Sequence, residues 1–502
     1  MDRVDREAVR GLAVILGLLV AFAAAIAALV LALGLGASDP VDLEIEAISQ
    51  DARSDTTAAS GDPLAWTPRT SDELAERATL GTSHVIYEKS PGGVMASAER
   101  TAKWRDEIEA AAKPKGVDPR TLEAMVFLES AGRSQVMADG TPNSASGLGQ
   151  IIPSTATDLL GMRVDLARSV RLTKEINKAL ERGKAKAASA LRAERRSVDE
   201  RFDPKLALEG AARYLEIATD RFGSEELAVV SYHMGIGNLE NVISAYVGED
   251  DAGSAAATVA EQKLDYARLF FDSSPQNNEE AYELLSGFGD DSSLYLWRVR
   301  ASEGILADFR DDPGALEEAV FLATEKATLE ETYHPDDETE VFETPDDVTE
   351  ATEDGELARV PSDRSFGFKL AGQAGELAEE LDTEPETYRV LRPEALAALT
   401  YLAGKVRAVS EEAKPLTVTS ATRDLAYQDL LIGINSEATT EYSLHTTGWS
   451  FDIRRRYASD RQARAFQFAL DRLRAHAILD YAYEPAAIHV TVSENADVLL
   501  DN

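Results

Sequence analysis

The 502-residue chain contains no cysteine. That absence excludes disulfides, thiolate nucleophiles, cysteine-ligated zinc and iron–sulfur clusters together, so any metal must sit on His, Asp or Glu. Positive charge is also scarce: 51 Lys and Arg stand against 89 Asp and Glu, a formal net charge of −38. Phosphate backbones are bound by Lys and Arg that displace counterions, so nucleic acid is not an expected partner. An acidic total says nothing about fold. What is present suffices for a core, since 44% of residues are hydrophobic and 28% charged, which excludes wholesale disorder. The length suits about three domains of roughly 150 residues each.

From Gly11 to Ala37 no residue is charged. A helix rising about 1.5 Å per residue crosses a hydrocarbon core of about 30 Å in roughly 20 residues, so this run is long enough to span. Arg3, Arg6 and Arg10 precede it and no basic residue follows until Arg53, which predicts a cytoplasmic N-terminus and an extracytoplasmic remainder. A cleaved signal peptide is the alternative, although its apolar region should span only about 7–15 residues. Residues 1–37 are therefore read as a cytoplasmic tip and single-pass membrane anchor.

Residues 38–100, rich in Ser, Thr, Asp, Pro and Gly, read as a tether. Helical patterns dominate from Lys103, and Asp118-Pro119 ahead of LEAMVFLES places an N-cap and an N1 proline before an apolar helix ending near Gly132. Residues 163–202 form a basic island of 12 Lys and Arg against 6 acidic residues, interrupted by Gly183. It reads as a surface helix or helical hairpin, either a solvated face or a contact for anionic wall polymer. A helical region continues through 251–330. Between Glu331 and Leu357 lie 12 acidic residues and no Lys or Arg, the pattern of a mobile linker, taken as 331–360. Beyond it, 388–415 read as helix and 416–421, 450–453 and 488–492 as strands, so 361–502 should be a small α+β domain.

Glu129 closes the apolar helix and is followed by Ser130. SASGLGQIIPSTA (144–156) and SYHMGIGN (231–238) come later. Gly147 and Gly149 would allow close approach of a ligand, and the Gln150 amide can donate and accept. A carboxyl among Phe127, Leu128 and Ile151 would lose solvation, which raises its pKa toward that of a general acid. These residues resemble the lysozyme-like lytic transglycosylase domain, which carries a Glu-Ser pair at a helix end, a G-L-M-Q-I-x-P-x-T-A turn and an A-Y-N-A-G-x-G-N segment. The resemblance covers roughly 101–250, with 163–202 as an insertion, and predicts an all-α lysozyme-like fold. It departs at Gly149, His233 and Ala207, where methionine and two asparagines are usual.

The resemblance implies cleavage of the β-1,4 bond between N-acetylmuramic acid and N-acetylglucosamine in peptidoglycan, with 1,6-anhydro ring closure, no cofactor, and Glu129 as acid then base. It places Ser130, Gly147, Gln150, Tyr232, His233 and Asn238 along the glycan. Ser130 could instead be a helix-end hydroxyl and Tyr232 core packing. No second carboxylate stands in a motif near Glu129, as a two-carboxylate glycosidase requires, and Asp139 in ADGTPN reads as a turn. A lysozyme-type hydrolase and a noncatalytic wall-binding scaffold are the competing readings.

The chain has 6 histidines. SLHTTGWSFDI places His445 ahead of Asp452 across a glycine, and His489 sits in IHVTV. Two imidazoles and a carboxylate suffice for a catalytic zinc with an open position. Upstream, Ser420, Arg423 and Gln428 offer a clamp for a peptide carboxylate. These residues resemble the D-alanyl-D-alanine carboxypeptidase and endopeptidase zinc peptidases, with their S-x-x-R-x4-Q and S-x-H-x-x-G-x-A-x-D motifs. The resemblance implies Zn2+ on His445, Asp452 and His489 and a stem-peptide substrate. Ser450 stands where alanine is common, and Ala486 and Ala487 occupy places where the family carries its base, leaving Glu484 as the candidate. The alternative is a degenerate domain that only holds peptide. His476, on a helix face in RLRAHAIL, reads as structural.

Overall fold

Asp118 caps the helix Pro119–Ser130 by accepting from the Arg120 N–H at 2.8 Å, and Leu122, Ala124, Met125, Val126 and Phe127 bury its apolar side. A computed structural model describes residues 62–248, 254–289, 291–362, 364–434, 439–440 and 442–500. Around this helix the described chain is mostly helical, and a single apolar core runs from Leu74 to Leu316. The region 251–330 belongs to that core: helix Tyr295–Asp311 buries Trp297, Val299, Ile305 and Leu306 in it. No helix of the described residues is long and apolar enough to cross a membrane; the run 11–37 lies outside them.

Two expectations are corrected. The tether is folded wherever it is described: helices Ser71–Gly81, His84–Lys89 and Val94–Ala102 bury Leu74, Ala78, Ile86, Val94 and Ala98. Small polar residues alternate there with small apolar ones, so the apolar face is narrow in sequence and tight in packing. Gly81 shows how tight, since a Cβ there would stand 1.9 Å from the Arg474 carbonyl oxygen. The acidic stretch 331–357 is likewise no mobile linker. Helix Pro345–Asp354 is closed by a Thr344–Asp347 capping box, and Phe342, Val348, Ala351 and Leu357 form a small core with Val390. Glu331 apart, its carboxylates face outward while every few residues an apolar side chain turns in.

The basic island is a helical hairpin, Leu166–Glu181 and Ala185–Val198, turning at Gly183 with φ +69°. Two of its cations are not on a solvated face. Arg201 is fully buried beside Asp199 at 2.8 Å and donates to the carbonyls of Pro142, Ser144 and Ile151. Arg195 lies 3.6 Å over the Phe202 ring and donates to Gln135 and Thr173. Both brace the 135–151 segment.

Beyond the acidic stretch the chain forms the expected α+β unit. Strands Phe368–Leu370 (β2), Leu416–Ser420 (β4), Ser450–Arg454 (β5), Leu479–Tyr483 (β6) and Ala487–Val492 (β7) make a sheet ordered β2-β4-β5-β7-β6, antiparallel except for β2 with β4. A separate two-stranded ribbon pairs Ala358–Arg359 (β1) with Val390–Leu391 (β3). Helices Pro393–Ser410 and Asp460–Ala475 cover one face around Phe368, Val418, Phe451, Ile453, Ile488 and Val490. Because side chains alternate along a strand, Asp452 and His489, paired across β5 and β7, fall on the other face.

Candidate active site and candidate metal centre

Helix Pro119–Ser130 stops abruptly because Ala131 and Gly132 are left-handed, φ 51° and 70°. Arg100 holds the Ala131 carbonyl at 3.0 Å and Trp104 the Gly132 carbonyl at 2.8 Å, and a Cβ on Gly132 would stand 2.6 Å from the Arg100 backbone. The helix end carrying Glu129 is thereby fixed. Burial pushes the Glu129 carboxyl up to about 7, against an opposing pull from the Tyr295 hydroxyl. That hydroxyl is itself buried and has no partner at ordinary hydrogen-bonding geometry among the described residues.

Tyr232 stacks on Tyr295 at 6.5 Å, meets Tyr214 edge-on at 5.0 Å and donates to the Gly149 carbonyl at 2.6 Å. Burial and the Glu129 charge hold the hydroxyls of Tyr232 and Tyr295 well above their ordinary pKa, so both stay protonated donors. His233 is exposed, stacks on Tyr295 at 5.1 Å and lies 2.9 Å from the Ser292 hydroxyl through Nδ1. Tyr295 was missed from sequence because it belongs to a segment without a motif.

Several sequence candidates are engaged by the protein itself. Ser130 is fully buried and donates to the Val126 carbonyl at 2.9 Å, the helix-end role rather than one of orienting Glu129. Gly147, with φ +80°, is required because a Cβ would meet the Arg201 carbonyl oxygen at 1.8 Å, and at Gly149 one would meet the Tyr232 hydroxyl at 2.9 Å. The room a side chain would need at these glycines is taken by protein. Gln150 donates to the Gly147 carbonyl at 2.8 Å and tightens its own loop. Asn238 donates to the Met234 carbonyl at 2.8 Å, holding the Gly235 turn. Asp139 is exposed in a turn.

In the α+β unit, one ligand atom from each of His445, Asp452 and His489 lies within 4.8 Å of the others. The register sets Asp452 opposite His489, and the turn Leu444–Thr447 brings His445 alongside, its Nε2 3.3 Å from Asp452 Oδ1. His445 Nδ1 bonds the Ala421 carbonyl at 2.8 Å. His489 approaches Asp452 Oδ1 through Nδ1 at 3.0 Å and Glu330 Oε2 through Nε2 at 3.1 Å. Burial works against the charged form of His489, but its bonds to Asp452 and Glu330 push it up to about 10. Burial also opposes the charge on Asp452, yet His445 and His489 hold it well below the carboxylate range. Each imidazole thus spends one ring nitrogen on an outer acceptor and turns the other toward a shared carboxylate, which is how metal-ligating histidines are held. The donor set fits zinc.

Arg423 binds Ser420 Oγ at 2.7 Å, Gln428 Oε1 at 3.0 Å and Asp452 Oδ2 at 3.5 Å. Glu484 is half-buried in the β6–β7 turn and near enough to support the Arg423 charge. His476 is buried against Phe271 at 4.6 Å and pushed down to about 3 by burial, a neutral core residue as expected.

Residues 183–252 match the transglycosylase SLT domain, which ties the helical half to lytic-transglycosylase-type cleavage of peptidoglycan. The matched stretch takes in the second helix of the basic hairpin together with Tyr232, His233 and Asn238; Glu129, Gly147 and Gln150 precede it, and the α+β unit lies after it. No curated protein matches the chain.

Proposed function

We propose that the protein is a membrane-anchored peptidoglycan lytic transglycosylase whose acid and base is Glu129. The observation that carries this reading is the Glu129 carboxyl raised to about 7 by burial, beside the Tyr295 hydroxyl. A carboxyl titrating near neutrality can hold a proton and also release it. Glu129 protonates the glycosidic oxygen leaving on N-acetylglucosamine as the bond from muramoyl C1 breaks. The muramoyl 6-hydroxyl oxygen then bonds C1, its proton passes to the Glu129 carboxylate, and no water is consumed. A two-carboxylate hydrolase would need a second carboxyl about 5–9.5 Å away, and the sequence offers none in a motif near Glu129. The anchor is residues 11–37, and the glycan strands lie on the extracytoplasmic side. Digests of purified peptidoglycan test this: 1,6-anhydro ends support it, and free reducing ends would favour the hydrolase.

A second activity on stem peptides is supported by the His445, Asp452 and His489 cluster. Zinc there would polarise a peptide carbonyl and activate water. Arg423, held by Ser420 and Gln428, presents its guanidinium to a peptide carboxylate, and Glu484, on the Arg423 side, is the available base.

A further inference from the structure

The segment after helix Pro313–Glu325 enters the α+β unit against its grain. It is strongly acidic, yet Glu330 and Glu331 are buried. Burying a carboxylate is costly unless it is paired, so their placement needs a reason. The short helix Glu330–Tyr333 is pinned at several points. The Leu329 N–H donates to Asp480 at 2.8 Å, His334 Nε2 lies 2.7 Å from the Val492 carbonyl, and the His334 ring stacks on Trp449 at 4.5 Å. Glu330 lies under this clasp, where Oε2 meets His489 Nε2 at 3.1 Å and the hydroxyls of Thr328 and Thr491, each at 3.3 Å. The sequence places Glu330 far from the motifs of the metal centre, and no spacing rule links them.

We propose that Glu330 is the positioning residue of this metal centre. Its carboxylate accepts from His489 Nε2–H, so that Nδ1 is the nitrogen turned toward Asp452 and His445, and it ties the end of the helical half to the centre. The inference rests on the zinc reading above. It assigns to the helical half's last segment a part of the second site, so that metal loading and the docking of residues 326–334 are one equilibrium. Removing a partner of this kind costs about 10–100-fold in metal affinity.

Zinc affinity of the full chain, measured by competition with a chromophoric chelator, tests this in four proteins. The unaltered chain should bind one zinc and H445A none. E330A should bind about 10–100-fold more weakly, and E330Q, whose amide oxygen still accepts from Nε2–H, should fall between. Hydrogen exchange over 326–334 should slow on adding zinc to the unaltered chain but not to H445A. If E330A matched the unaltered chain in zinc affinity while H445A bound none, the positioning role would be wrong and the zinc reading would stand. If neither the unaltered chain nor H445A bound zinc, both would fall. A loss of thermal stability in E330A with unchanged zinc affinity would mean a structural role only, and would overturn the proposal.

Discussion

At the residue scale, Glu129 concentrates the account. Its folded pKa of about 7 lies above the ordinary 4.5, so the associated stability is fully present below about 4.5 and is lost as pH rises through 7. At pH 8 the fold therefore bears the cost of an ionised buried carboxylate, about 3 kcal/mol. Glu129→Gln cannot ionise: it should abolish glycan cleavage while melting higher than the unaltered chain at pH 8 and equally at pH 4, as calorimetry would read. The acid must be protonated, so kcat/KM should fall as pH rises through about 7. Because the Tyr295 hydroxyl pulls Glu129 downward, Tyr295→Phe should move that alkaline limb to higher pH. Glu129 was legible because a cap, an apolar run and a Glu-Ser pair are contiguous. Tyr295 was not: it sits on a helix with no motif, and only packing against Pro119–Ser130 brings it near.

At the element scale, the loop 142–151 is held from behind by the basic hairpin. Arg201 supplies donors to three of its carbonyls while fully buried with Asp199. Arg201→Met would take from the buried Asp199 its ion-pair partner, leaving the Ser169 hydroxyl and the nearby Arg195 charge, a loss of about 3 kcal/mol, seen as a lower denaturant midpoint and weaker glycan cleavage. A count of positive charges read that hairpin as one solvated or polymer-binding face. Composition could not separate the two cations that turn inward, because their partners are backbone carbonyls with no sequence signature. The strands carrying Asp452 and His489 were legible through their period of two, whereas β6 was not, since its LDYAY segment follows closely on the helical pattern of Asp460–Ala475.

At the scale of the whole molecule, the two larger cores of the described residues share one body. Helix Asp460–Ala475 belongs to the sheet, yet Ala475 is part of the helical core. Arg472 donates to the carbonyls of Phe270 at 2.6 Å and Ser273 at 2.9 Å and covers the Phe270 ring at 4.4 Å. The acidic stretch between the halves is folded against this body, so limited digestion with a glutamate-specific protease should spare 342–357 in the native chain; early cutting there would restore the mobile linker. Charge density misled because it registers repulsion among the carboxylates and not the apolar residues spaced among them.

Whether Glu129 alone runs a water-free cleavage is read by mass spectrometry of peptidoglycan digested by the unaltered chain and by Glu129→Gln. The first should give 1,6-anhydromuramoyl ends and the second no cleavage. Reducing ends from the unaltered chain, or anhydro ends still forming with Glu129→Gln, would contradict water-free cleavage by Glu129 alone.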